Sequence, residues 1–190
     1  TFSLADPAPG LFKTQGRLEA EKIIFTGAGS VPELNASADF DLTWDTPTSQ
    51  LILNRFDAKV MDLPLTATGQ MVMAEDAATG KVQLKATDLP LIDLLALAPR
   101  DLAAKFSGNR DSGSLSATVD LELTGHKAAP VKASGTVTVL QVDLALAQPF
   151  LPAQQTGKLS GLGEMALSFA QDETATGRYR TKGRLTAERI

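Results

Sequence analysis

The chain has 190 residues, with 18 Lys+Arg against 22 Asp+Glu, a formal net charge of −4, no Cys and a single His. A net-negative chain offers no uniform positive field to phosphate backbones, so nucleic acid is not an expected partner. Without thiols, and with His126 as the only imidazole, disulfide staples, thiolate or multi-histidine metal centres and Cys–His catalysis are excluded. Apolar residues make up 43% of the chain and aromatic residues 5%, so the apolar surface is mostly aliphatic. The lack of Cys fits a reducing or an oxidising compartment equally well.

The chain opens Thr1-Phe-Ser-Leu, with no basic-then-apolar leader in view. Any targeting segment or membrane anchor would have to lie outside these residues. Ala36, Ala38, Phe40, Leu42 and Trp44 are apolar at every second place, with Ser37, Asp39, Asp41 and Thr43 between them. That period of two predicts a strand with one apolar face. The pattern returns at Leu65, Ala67, Met71 and Met73, and again at Val82, Leu84 and Ala86. Gly69 falls inside the first of these runs, where glycine marks a bulge or a bend.

From Leu91 to Phe106 the spacing turns helical, with Pro99 interrupting it, so one or two short helices are expected near 91–106. Leu89 to Pro99 is the longest apolar stretch, about half the ~20 residues a membrane span needs. Leu115, Ala117, Val119, Leu121 and Leu123 restore the strand pattern, followed by a turn at Thr124-Gly-His-Lys that holds His126 in solvent. Between Val131 and Leu146 the apolar phase switches, from Val131, Ala133, Val137 and Val139 to Leu140, Val142, Leu144 and Leu146. A bulge or corner near Val139 would carry that slip without turning the apolar set outward. Gln148–Gln155, with Pro149 and Pro152, reads as an irregular connection. Leu159, Met165, Leu167 and Phe169 form a further strand pattern.

The chain also repeats itself. Phe12-Lys-Thr-Gln-Gly-Arg-Leu-Glu-Ala-Glu-Lys-Ile23 and Tyr179-Arg-Thr-Lys-Gly-Arg-Leu-Thr-Ala-Glu-Arg-Ile190 agree at seven of twelve positions. Asp62-Leu-Pro-Leu65 recurs as Asp88-Leu-Pro-Leu91. Repeated strand units imply an architecture that grows along one axis, each unit leaning on its neighbours. The second copy stops at Ile190 where the first runs on through Ile24 and Phe25, so 1–190 is expected to be a single β-repeat domain excerpted from a longer protein. No nucleophile elbow, phosphate loop or dinucleotide fingerprint occurs. The carboxylate pairs Asp39/Asp41 and Asp120/Glu122 read as solvated outer faces that discourage edge pairing rather than as calcium or glycosidase sites.

Lys85-Ala-Thr-Asp-Leu-Pro-Leu-Ile-Asp-Leu-Leu-Ala-Leu97, then Gly113-Ser-Leu-Ser-Ala-Thr-Val-Asp-Leu-Glu-Leu-Thr-Gly125, then Ala129-Pro-Val-Lys-Ala-Ser-Gly-Thr-Val-Thr-Val139 resembles the TamB/AsmA-like family in order and spacing. The resemblance covers about residues 85 to 146, and the Gly-Arg-Leu copies loosely. It departs at Lys132, where the family often has an apolar residue, and at the polar insertion Asn109-Arg-Asp111. The resemblance implies a long curled sheet with an apolar concave side, in the periplasm between two membranes, in a protein anchored to the inner membrane. It also implies phospholipid transport between those membranes, with a possible outer-membrane barrel partner in protein assembly.

The expected fold is all-β: a mainly antiparallel, strongly twisted sheet of about a dozen strands, curled into an open apolar groove. The expected function is non-enzymatic and cofactor-free. Acyl chains would lie against Phe40, Leu42, Trp44, Met71, Met73, Leu84, Val119, Leu121, Leu123, Val137, Leu144, Met165, Leu167 and Phe169. The alternative is a structural or adhesive β-repeat stalk whose apolar faces close into a dry core, as alternating strands usually do.

Overall fold

The computed structural model of the chain describes residues 2–23, 33–74, 77–97, 113–125, 131–146, 160–171 and 178–188. Their strands are β1 (Phe2–Ala8), β2 (Leu11–Ile23), β3 (Leu34–Asp45), β4 (Gln50–Val60), β5 (Leu63–Met73), β6 (Ala78–Pro90), β7 (Ser114–Thr124), β8 (Val131–Asp143), β9 (Leu162–Gln171) and β10 (Tyr179–Glu188). All ten join one sheet in strict sequence order, each antiparallel to the next, with β1 and β10 at its two edges. One helix, α1 (Leu91–Leu97), follows β6. The sheet is all-β, as the alternation predicts, and it is curled and unclosed, as expected for the fold. His126, the Gln148–Gln155 connection and the second half of the expected helical stretch lie outside the described residues.

Short connections enforce the meander. Between β3 and β4, Pro47 sits inside a turn where the Ser49 amide donates to the Thr46 carbonyl (3.2 Å). The Thr46 amide and hydroxyl both donate to the Gly10 carbonyl, at 2.8 and 2.6 Å, clamping this turn to the β1–β2 turn. Gly10 has φ 79°, a left-handed conformation that a Cβ would strain.

The phase switch in β8 is a bulge. Register runs regularly to Val139 opposite Met165, then slips so that Val142 faces Gly163, with Gln141 at φ 53°. A second slip lies in β4, where Asn54 is the extra residue between Arg55 opposite Asp41 and Leu53 opposite Leu42. Gly135, by contrast, keeps regular register with both Val119 and Phe169, so it marks a bend and not a bulge.

Coverage is thin. The chain exposes 12903 Å², whereas a compact protein of its 20.0 kDa mass would expose about 8700 Å². Among the described residues no large side chain is fully buried. The best-covered ones, Leu63 and Leu89 at 4%, Leu146 at 5% and Leu34, Val139 and Leu144 at 7% exposure, gather where β3, β5 and β7 begin and β4, β6 and β8 end. At that end the Leu91 amide of α1 donates to the Gly113 carbonyl (3.1 Å) and the Leu144 amide to the Gly161 carbonyl (3.0 Å). The small core therefore sits at one end of the sheet, where the helix and a turn of 3-10 helix over 144–146 are tied on. No described helix is long and apolar enough to cross a membrane.

Candidate functional site

Residues directly opposite each other in an antiparallel pair put their side chains on the same face, so the register assigns the faces of the sheet. One rung runs Gly16, Phe40, Phe56, Ala67, Leu84, Val119, Gly135, Phe169, Thr181 across nine strands. The adjacent rung is Thr14, Leu42, Leu53, Gly69, Val82, Leu121, Ala133, and the next is Phe12, Trp44, Leu51, Met71, Gly80, Leu123, Val131. With neighbouring strands about 4.8 Å apart, the first rung is about 38 Å long. It carries no charged residue.

The opposite face is polar along the rung that backs this one, although Ile52, Val72 and Leu140 also stand on that face. Arg17, Asp39, Asp57, Thr66, Lys85, Thr118, Thr136, Ser168 and Lys182 form its equivalent rung. The two facing aspartates are each met by a cation: Arg17 Nη1 lies 3.5 Å from Asp39, and Arg55 Nε lies 3.3 Å from Asp57. These exposed pairs offset a local repulsion and contribute little more. Asp41 is held by Asn54 Nδ2 (2.9 Å) and Gln15 Nε2 (2.8 Å), and Asp120 accepts from Gln83 Nε2 (2.7 Å). The Asn54 hydrogen bond, then that of Gln15, holds the Asp41 carboxyl below its ordinary range. Asp39, Asp41, Asp57 and Asp120 thus each meet an amide or guanidinium, with Arg17 Nε also reaching Glu19 at 2.8 Å.

Thirteen of the fourteen residues that alternation assigns to the apolar groove stand on this apolar face. Leu144 departs from the set. It lies past the end of β8 in the 3-10 turn, 7% exposed, with Cδ2 2.6 Å from where a Cβ on Gly163 would stand. It packs into the small core at the covered end instead of extending the open wall.

Alternation also omits residues that the register adds. Leu51, Leu53, Phe56, Ala58 and Val60 of β4 belong to the face. Their signal is a phase switch from odd to even at Asn54, the same mark that the β8 bulge leaves in its sequence. Leu18 and Leu185, 59% and 65% exposed, join them.

The in-strand glycines Gly16, Gly69, Gly80, Gly135, Gly163 and Gly183 all stand on the apolar face. A Cβ on Gly69 would lie 2.6 Å from the Lys81 carbonyl oxygen and 2.9 Å from Val82 Cα, and one on Gly80 would lie 2.6 Å from Met71 Cα. On Gly135 it would run into the Thr118 carbonyl and the Phe169 ring. In a flat sheet a neighbour's Cα stays about 4.5–5.5 Å away from its partner. At these points the strands fold toward the apolar side, and glycine is what makes room for the bend.

That wall stays accessible. Met73 is 44%, Leu84 39% and Met165 37% exposed. Phe169 and Tyr179 close edge-to-face at 6.3 Å near the β10 edge. A hollow of about 790 Å³ opens on the polar side instead, between the side chains of Thr68, Gln70, Lys81, Gln83, Asp120, Glu122, Lys132 and Ser134. A twisted sheet is saddle-shaped, so each face is concave along one diagonal. Among family models, curated proteins and solved structures, none matches the chain.

Proposed function

We propose that the chain is a non-enzymatic segment of a lipid conduit whose apolar face shields phospholipid acyl chains while their headgroups remain in water. The observation that carries this reading is the uncharged rung from Gly16 to Thr181, left uncovered by any second layer among the described residues. Contiguous exposed apolar faces mark interaction sites, and this one spans nine strands. A rung of about 38 Å is more than twice the ~15 Å depth of one bilayer leaflet, so an acyl chain fits along it with room to slide. If one wall covers half of a chain of about sixteen carbons, transfer from water contributes about 6 kcal/mol, at 0.8 kcal/mol per methylene. Aliphatic walls of Leu, Val and Met hold such a guest without fixing its position.

The resemblance of residues 85–146 to TamB/AsmA-like proteins supports a periplasmic setting between two membranes, with a role in outer-membrane biogenesis alongside a barrel partner. The stalk alternative calls for a sealed core. The exposed apolar residues Met73, Leu84 and Met165 favour the conduit over it.

Native mass spectrometry of the chain purified from bacteria tests the reading. Phospholipid that co-purifies, and that exchanges for a fluorescent fatty acid, is the expected result. A lipid-free chain that leaves the fatty acid unbound would return the choice to the stalk.

A further inference from the structure

On the polar face, one stretch of the sheet sets unlike charges side by side without pairing them. Gln70, Lys81, Glu122 and Lys132 stand directly opposite one another across β5, β6, β7 and β8. Opposite positions bring Cβ atoms to about 4.5–5.5 Å, close enough for a lysine and a glutamate to meet. Yet Lys81, Glu122 and Lys132 form no ion pair among the described residues. Asp39 and Asp57, on the same face, are each met by an arginine.

The backbone accounts for the difference. Gly69 and Gly80 precede Gln70 and Lys81, and they let β5 and β6 approach so closely that a Cβ on Gly69 would lie 2.9 Å from Val82 Cα. The strands bend there toward the apolar side, which spreads the side chains on the polar side. Between those side chains lies the hollow of about 790 Å³. A second hollow of about 380 Å³ adjoins it beside Thr79 and Thr124, where β6 begins and β7 ends. Both are lined by Lys81, Glu122 and Lys132. Asp120 stands two residues from Glu122, about 7 Å along β7. Its Oδ1 accepts from Gln83 Nε2 (2.7 Å), which leaves Oδ2 to the hollow. Two carboxylates therefore run along β7, with one ammonium on either side, and the four charges balance.

This arrangement selects by charge. A simple anion between the lysines would rest on Glu122, and a simple cation on Glu122 would be flanked by two ammoniums. A ligand that carries both signs meets neither repulsion. We infer that the hollow binds a small zwitterion, its ammonium over the β7 carboxylates and its phosphate or carboxylate group against Lys81 or Lys132. Thr68 and Ser134 supply hydroxyls for its remaining polar atoms. None of the lining residues is aromatic, so the hollow offers no stacking platform to a sugar ring or a base. The site is on the face opposite the apolar wall, and the inference is independent of what that wall carries.

Glycerophosphoethanolamine is the probe, with glycerol 3-phosphate and ethanolamine as its separate anionic and cationic halves. Carboxyl-detected NMR of the isotope-labelled chain follows Asp120 and Glu122 as each compound is added at low ionic strength. The zwitterion is expected to shift both signals and to bind about fivefold more tightly than either half. Glu122→Gln is expected to weaken it about threefold and to raise the affinity for glycerol 3-phosphate, because the repelling carboxylate is gone. Lys81→Gln/Lys132→Gln is expected to weaken it likewise and to raise the affinity for ethanolamine. Lys59→Gln/Lys182→Gln, on the same face but away from the hollow, is expected to leave binding within about twofold. Circular dichroism confirms that each variant folds. Displacement of the probe by glycine identifies a free solute and displacement by vesicles of phosphatidylethanolamine a membrane headgroup, and either upholds the site. Unmoved carboxylate signals, halves that bind as tightly as the whole, or variants that lose binding without the change in preference would each overturn the inference.

Discussion

Replacing Gly135 by Ala places one methyl group on the apolar face at the point where β8 passes between Val119 and Phe169. That methyl would collide with the Thr118 carbonyl oxygen and approach the Phe169 ring at 3.0 and 3.1 Å. The ring can turn aside, but the carbonyl is backbone, held in the β7–β8 ladder, so β7 must move away. Overpacking of this kind costs about 1–3 kcal/mol. Against it stands the gain of about 0.4–1 kcal/mol from a less flexible unfolded chain. The net expectation is a loss of about 1–2 kcal/mol, which lowers a urea midpoint by about 0.7 M at a slope of about 2 kcal/mol/M. Gly183→Ala is the matched control, because its methyl meets the movable Leu167 Cδ1 at 3.3 Å on an edge strand. It should move the midpoint by less than about 0.3 M, within the range of ordinary surface substitutions. Equal midpoints for the two variants, or a rise with Gly135→Ala, would refute the bend toward the apolar side.

Leu89→Ala should destabilise by about 2–5 kcal/mol, since Leu89 is 4% exposed in the small core, whereas Leu185→Ala, 65% exposed, should cost less than about 0.5 kcal/mol; thermal unfolding compares them. Because Asn54 and Gln15 hold the Asp41 carboxyl below its ordinary value, this group favours the folded state above the usual carboxylate range and loses that effect as pH falls through its folded value. Asn54→Ala removes the larger cause, so the Asp41 titration seen by carboxyl-detected NMR should move up toward the ordinary value, and an unmoved titration would contradict the assignment.

Period-two alternation sets how much of this fold and wall is legible in the sequence. It encodes a face wherever register is unbroken, which is why β3, β7 and the end of β9 read correctly, and why the slip in β8 shows as a change of parity. It is silent once a bulge falls inside a short run. In β4, Leu51 and Leu53 precede Asn54 while Phe56, Ala58 and Val60 come after it, so neither half is long enough to stand out. Leu144 keeps the parity of Val142, yet the strand has ended and the side chain turns into the covered end.

The Asp-Leu-Pro-Leu copies show the same limit from another side. Leu63 and Leu89 are both 4% exposed, but Leu65 continues β5 while Leu91 begins α1. Identical tetrapeptides diverge because their downstream residues differ: Thr66-Ala67 resumes alternation, and Ile92-Asp-Leu-Leu95 takes up helical spacing. Whether an apolar face is sealed depends on a second layer that no single strand encodes. The glycines come closer to revealing it, since their shared parity with the apolar set reflects the bend they permit.

The most direct test of the central proposal puts a photo-crosslinking amino acid at Leu121 and, separately, at Asp120, adjacent positions whose side chains lie on opposite faces of β7. Each variant is expressed in bacteria, irradiated and analysed for covalently attached phospholipid. A wall that carries acyl chains predicts strong labelling from position 121 and background labelling from position 120. Equal labelling from both, or none from either in a folded chain, would contradict it.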